Sequence, residues 1–179
     1  MAEELYGIVS TLDDERQDAV WRLWADIERQ FSVSIRDTHV PHFTYHCAKA
    51  YAETLREKLY RIAAGTSPIA TGCFFLGIYN APPPLFFLPL VRTDALSSLH
   101  RRLWAELDAI STGAMDRYAA EAWMATVNVT PDIERDISGE LLPYLLARDF
   151  QWKIRIDNIC LLHDTGERQV LEARFDLRG

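Results

Sequence analysis

Two stretches of this chain are nearly the same hexapeptide, Arg22-Leu23-Trp24-Ala25-Asp26-Ile27 and Arg102-Leu103-Trp104-Ala105-Glu106-Leu107, offset by 80 residues. Each sits in the middle of a strand–helix–strand run. The first runs from a strand at Leu5–Ser10 through a helix to about Phe31 and on to the strand carrying His42-Phe43-Thr44. The second has a strand at Leu85–Val91, a helix to about Ile110, and a strand carrying Thr126-Val127-Asn128. His42 and Thr126 are 84 residues apart, so the offset is nearly kept to the ends of the two runs. A period this long marks a duplicated unit, not a solenoid of many short repeats. The expectation is one domain over residues 1–179 made of two lobes, with repeat units at about 5–47 and 85–130 related by a pseudo-two-fold. One half carries a histidine where the other carries a threonine, and that asymmetry frames the functional question.

The rest of the chain fits an α+β fold of antiparallel sheets flanked by helices around a central cleft. The first helix opens after Thr11-Leu12-Asp13, with acids in its first turn, and places Val20, Leu23, Trp24, Ile27 and Phe31 along one face. A second helix is expected from about Tyr51 to Ala64, ending at Gly65, followed by a strand from Pro68 to near Asn80. Ala81-Pro82-Pro83-Pro84 can continue neither a helix nor a central strand and reads as the connector between halves. The third helix carries Leu96, Leu99, Leu103, Leu107 and Ile110, and Ser111 to about Arg117 reads as a loop. A short helix is expected around Glu140–Arg148, with Ser138 as its cap. The chain closes with a hairpin whose arms are Trp152–His163 and the alternating run Leu171, Ala173, Phe175, Leu177, joined by Asp164-Thr165-Gly166-Glu167.

Composition narrows the classes. With 49% apolar and 25% charged residues, the 179-residue chain can bury a substantial core. No apolar run reaches membrane-spanning length, and the acidic start Met1-Ala2-Glu3-Glu4 does not resemble a signal peptide. Cys47, Cys73 and Cys160 lack metal-ligand spacing and read as thiols of a reducing compartment, so a cytoplasmic location is expected. A net charge of −7 argues against an extended nucleic-acid surface while leaving room for a small positive cleft.

Residues two apart on a strand point the same way. His42, Thr44 and His46 are therefore expected on one face, with Phe43, Tyr45 and Cys47 turned to the core. Thr126, Asn128 and Thr130 line up similarly, with Val127 and Val129 behind them. Two such polar faces meeting across a pseudo-two-fold make a groove lined with hydrogen-bonding groups. Tyr6 is a candidate for its floor. His39 faces away from His42 and His46 on this reading, so no metal site is expected.

Several features together carry a family resemblance: the order of elements, Pro41-His42-Phe43-Thr44, the strand–Pro-rich turn–strand at 72–90, Ser98-Leu99-His100 and the closing hairpin. Over about Leu5 to Leu177 the chain resembles the two-histidine (2H) phosphoesterase superfamily, in its 2′,5′-RNA ligase and cyclic phosphodiesterase branch. That resemblance implies two His-x-Thr/Ser motifs facing each other across a cleft. One histidine activates the nucleophile, the other protonates the leaving oxygen, and the hydroxyls hold the phosphate. It implies no metal and no cofactor, and substrates that are RNA ends or nucleotides bearing 2′,3′-cyclic phosphate or 2′,5′ linkages. His42 then corresponds to the first catalytic histidine and Thr44 to its phosphate-binding hydroxyl.

The second motif of the family reads like Trp-x-Pro-His-x-Thr, whereas this chain has Trp123-Met124-Ala125-Thr126-Val127-Asn128. Thr126 cannot exchange a proton near neutral pH, while Asn128 can still donate to a phosphate oxygen. Three readings stay open. The protein has lost catalysis and kept ligand binding. Or a substitute donor, for which His46 is the candidate, preserves activity. Or the groove serves a different small molecule or a protein. Tyr118 and Trp123 border the second motif and could stack on a base, with core packing the plainer reading. His100 reads as a packing or surface residue and His163 as solvent-facing.

Overall fold

The computed structural model describes residues 4–80, 82–131, 133 and 136–179. Its elements in chain order are β1 (Leu5–Ser10), α1 (Asp14–Phe31), β2 (Phe43–Ala48), β3 (Ala50–Tyr51), α2 (Leu55–Ala64), β4 (Ile69–Cys73), β5 (Gly77–Tyr79) and β6 (Leu85–Pro89). They continue with α3 (Asp94–Asp108), β7 (Ser111–Thr112), a 3₁₀ turn at Asp116–Tyr118, β8 (Thr126–Asn128), α4 (Ser138–Leu146), β9 (Trp152–Ile156), β10 (Asn158–Asp164) and β11 (Gln169–Asp176).

The two long helices form where their patterning requires. Asp13 caps α1 by accepting from the Arg16 N–H at 3.1 Å, and Thr93 caps α3 by accepting from the Leu96 N–H at 3.3 Å. α1 ends at Ser32, whose left-handed φ of 54° turns the chain out of the helix. Val20, Leu23, Trp24, Ile27 and Phe31 of α1 are buried, as are Leu96, Leu99, His100, Leu103 and Leu107 of α3.

Four antiparallel sheets take these helices: β11-β10-β1-β2, β5-β6-β8, β4-β9 and β3-β7. One apolar core joins them, in which Phe43 and Tyr45 of β2 belong to the same cluster as Trp123 and Val127 at β8. A second, small cluster of Val9, Cys160 and Leu162 lies on the other face of the first sheet.

Several expected boundaries move because pairing with distant strands decides them. Tyr51 is not helical but pairs with Ser111 in the short β3-β7 ribbon, so the segment after Ser111 is not wholly loop. The stretch up to Asn80 splits into β4 and β5, which join different sheets. The hairpin arm Trp152–His163 is likewise two strands broken at Asp157, with β9 paired to β4 and β10 to β1 and β11. Ser138 lies inside α4, and its N–H is taken by the Asp136 carboxylate at 2.9 Å. Of the Pro-rich connector, Ala81 lies outside the described residues.

Candidate active site

β2 carries the first motif at the end of its sheet, and its geometry departs from simple alternation. Ile8 of β1 pairs with His46, but Val9 pairs with Thr44, so Tyr45 is an extra residue on β2. Such a bulge exchanges the two faces of the strand beyond it. Before the bulge, Phe43 is buried in the core while His42 and Thr44 are half-buried on the opposite face. After it, His46 turns inward and Cys47 takes the face of Thr44 and Val9. The expectation that His46 shares a face with His42 and Thr44, and that Cys47 opposes them, is thereby corrected.

His46 is completely buried. Its Nδ1 lies 2.6 Å from the Tyr51 hydroxyl and its ring 4.7 Å from that of Trp104. Burial pulls its pKa from 6.5 down to about 4, with Asp108 opposing and His100 adding to the fall. A neutral, enclosed imidazole of this kind cannot serve as a substitute proton donor to a ligand in the groove.

His42 is differently set. Its Nδ1 lies 2.7 Å from the Val40 carbonyl, which can only accept, so Nδ1 carries the proton and Nε2 keeps its lone pair. Burial holds the ring below the usual histidine range; the Val40 carbonyl and Asp164 pull it back, and His39 pushes it further down. Near neutral pH it is a free base. His39 lies in the loop before β2, with Nδ1 2.7 Å from the Thr38 hydroxyl. Among the described residues no three His, Cys, Asp or Glu side chains are grouped to hold a metal ion.

On β8, Thr126 and Asn128 are half-buried and flank Val127, which is in the core. Cα atoms of β2 and β8 come within 8 Å of one another. Phe43 and Val127 belong to one core, and their neighbours Thr44 on β2, His42 just before it, and Thr126 and Asn128 on β8 are half-buried on the faces turned away from it. Thr130 does not continue that row. It is buried, and its hydroxyl accepts from the Phe86 N–H at 3.0 Å, beside a cavity of about 10 Å³ lined by Pro84, Ile133 and Leu141.

The outer edge of β2 is closed by residues 115–123 instead of by a strand. The Met115 N–H donates to the Cys47 carbonyl at 2.9 Å and the Trp123 indole N–H to the Thr44 carbonyl at 2.7 Å. Trp123 is fully buried, with His100 stacked flat on it at 3.9 Å. His100 is thus a packing residue, its Nε2 bonded to the Tyr118 carbonyl at 2.8 Å. Burial raises the Tyr118 phenol and keeps it protonated, with Arg117 and the nearby Thr44 side chain opposing the rise. Arg117 lies over the Tyr118 ring, 5.0 Å from its centroid.

Val9, Cys160 and Leu162 lie on the sheet face of Thr44, whereas Tyr6 does not. Tyr6 is on the other face of β1, where its ring stacks on His163 at 4.5 Å. His163 is not fully exposed but sits between Glu4 and Glu172, each at 3.5 Å. Cys47 and Cys160 have thiols raised by burial to about 11, which leaves them protonated and poorly nucleophilic. Alternation along Leu5-Tyr6-Gly7-Ile8-Val9 puts Tyr6 and Val9 on opposite faces, and the pairing of Val9 with Thr44 says which of them shares the face of the first motif. Nothing in the local sequence of residues 115–118 points to Thr44.

Solved structures with this arrangement exist. The crystal structure of E. coli LigT complexed with phosphate superposes over 100% of both chains with a TM-score of 0.58 at 11% identity. This chain has the LigT fold. TT0787 of Thermus thermophilus also matches, over 98% of each chain, with a TM-score of 0.52 and 13% identity. The α+β fold of antiparallel sheets flanked by helices expected from the sequence is therefore the one adopted. No known protein-family profile and no curated protein matches the sequence itself.

Proposed function

We propose that this chain is a 2′,5′-RNA ligase-like or cyclic-phosphodiesterase-like protein that takes the phosphate of a nucleotide or RNA end into the groove, with catalysis impaired on one side. The observation that carries this reading is the tautomer of His42. Its Nδ1 proton is committed to Val40, so Nε2 is free to accept a proton beside the Thr44 hydroxyl. LigT, whose fold the chain has, was crystallised complexed with phosphate, which supports a phosphate-bearing ligand.

In hydrolysis of a 2′,3′-cyclic phosphate, His42 Nε2 removes the proton of the attacking water as its oxygen bonds to phosphorus. The bond to one ribose oxygen then breaks, and that oxygen must be protonated. A histidine across the groove would do this; Thr126 holds its proton too tightly and Asn128 has none to give at this pH. Loss of one acid–base group lowers the rate by about 10²- to 10⁴-fold. His42 and Thr44 are the proposed catalytic pair, and Thr126 and Asn128 the ligand contacts. No metal or cofactor enters this scheme. No helix among the described residues is long and apolar enough to cross a membrane, and the proposed site of action is the cytoplasm.

The alternative is a non-catalytic binding protein using the same groove, favoured by the absence of an acid–base residue in the second motif. The test is hydrolysis and calorimetric binding of a short RNA ending in 2′,3′-cyclic phosphate, by the wild type and by His42→Ala. Turnover that disappears in the variant supports the enzyme. Binding without turnover, weakened in the variant, supports the alternative. Neither binding nor turnover would sink both.

A further inference from the structure

Building on a phosphate ligand in this groove, we infer that Arg117, carried on the 3₁₀ turn Asp116–Tyr118, supplies the cationic contact to the phosphate. None of the described residues assigned to the groove above carries a fixed positive charge. His42 is a neutral base, Thr44, Thr126 and Asn128 are uncharged, and Val9, Cys160 and Leu162 on the sheet face of Thr44 are apolar. Asp164, close enough to act on His42 and Cys47, is negative, with its carboxylate turned to the Gly166 N–H at 2.9 Å and the Gln169 amide at 3.3 Å. An anion drawn out of water into such a site without a cation pays a heavy desolvation cost.

Arg117 is placed to offset it. Met115 and Trp123 fasten the segment on either side of it to the Cys47 and Thr44 carbonyls. The turn itself is closed by the Tyr118 N–H donating to the Met115 carbonyl at 3.0 Å, and His100 holds the Tyr118 carbonyl. The turn packs against β2, whose Thr44 is the proposed phosphate-binding hydroxyl and lies near enough to act on the Tyr118 phenol, and the guanidinium lies over that same ring. Its field also reaches the Cys47 thiol, two strand positions beyond the bulge and on the face of Thr44. So the cation stands beside Thr44, on the groove side of β2.

Its environment also differs from that of most arginines here. Arg29, Arg36, Arg56, Arg148 and Arg174 each pair with a carboxylate. Arg117 is exposed and forms no ion pair among the described residues, its contacts being with Tyr118. A guanidinium stacked on a ring is already ordered, and its planar fork matches two phosphate oxygens. The family resemblance puts a histidine at the position of Thr126; in this chain the positive charge instead enters from the turn before β8.

The experiment is calorimetric titration with adenosine 3′-monophosphate, at low and at physiological salt, of the wild type, Arg117→Gln, Arg117→Lys and His42→Ala. Adenosine serves as the ligand without phosphate. Arg117→Gln is expected to weaken the nucleotide by about 10-fold or more and to flatten its salt dependence, with adenosine binding unchanged. Arg117→Lys should fall between the two, keeping the charge and losing the fork. Wild-type affinity or wild-type salt dependence in Arg117→Gln overturns the inference, as does an equal loss for adenosine. If His42→Ala weakens binding while Arg117→Gln does not, only this inference fails and the proposed function stands. No nucleotide binding by the wild type removes both.

Discussion

Acidification should destabilise this protein, and one buried side chain accounts for a definable share of the loss. His46 has one ring nitrogen on the Tyr51 hydroxyl, while Nε2 is buried with no hydrogen-bond partner. A second proton would create a cation whose Nε2–H has no acceptor, which is why burial takes the pKa from 6.5 to about 4. The unfolded chain binds that proton readily near pH 6.5 and the folded chain does not. Stability from this group is therefore complete above about pH 6.5 and drains away as the pH falls towards 4. At about pH 5 the two pKa values give a loss of about 2 kcal/mol, a substantial part of the roughly 5–15 kcal/mol that holds an ordinary domain together. For a chain of this length that corresponds to a fall in Tm of about 4–8 °C. The assay is urea denaturation of the wild type and of His46→Gln at neutral pH and near pH 5. The variant should be less stable at neutral pH, yet lose about 2 kcal/mol less than the wild type on acidification. His42 and His100, also depressed by burial, contribute to both proteins and cancel in the comparison. Equal acid losses in the two proteins would refute the reasoning, since His46 would then be accepting its proton within the fold.

Two further substitutions test the packing that positions the site. Trp123→Phe removes the indole donor from the Thr44 carbonyl and leaves a void beside His100, for an expected loss of about 2–4 kcal/mol by thermal or urea denaturation; a loss below about 1 kcal/mol would mean that the indole is not the tie between β2 and the segment before β8. Gly72→Ala would set a methyl 2.7 Å from the Trp152 carbonyl oxygen on the paired strand β9, a backbone atom that cannot step aside, and should cost about 1–3 kcal/mol by the same measurement. An unchanged midpoint there would show that β4 and β9 can separate at that point without loss.

What the sequence reveals is the part of the fold governed by local periodicity. The 3.6-residue spacing of Val20, Leu23, Trp24, Ile27 and Phe31 identifies α1 and its buried face, and the Leu96–Leu107 series does the same for α3. What it conceals is set by partners far away in the chain. His42-Phe43-Thr44-Tyr45-His46 alternates perfectly as written, and only the pairing of Ile8 with His46 and Val9 with Thr44 shows that Tyr45 is inserted and His46 reversed. Tyr51 continues a plausible helical face, yet Ser111 draws it into a ribbon. The Trp152–His163 run looks like one strand because only Asp157 separates its halves, although β9 alternates between buried and exposed, β10 is largely buried, and the two serve different sheets. Arg117 and Tyr118 read as loop residues, since their relation to Thr44 depends on the Met115 and Trp123 bonds to β2.

The order β11-β10-β1-β2 has a consequence for how the protein comes into being on the ribosome. β1 needs a neighbour on each side, and β10 is encoded about 150 residues after it, which at typical elongation rates is a delay of about 7–30 s. Through that interval β1 and β2 can pair with each other, but one edge of β1 stays open. By contrast, β5, β6 and β8 all fall within residues 77–128 and can assemble sooner. Cys160 and Leu162 arrive only with β10, so the apolar patch they form with Val9 on the sheet face of Thr44 is completed last. A nascent chain can display both motifs while the sheet that carries the first still lacks half of its strands.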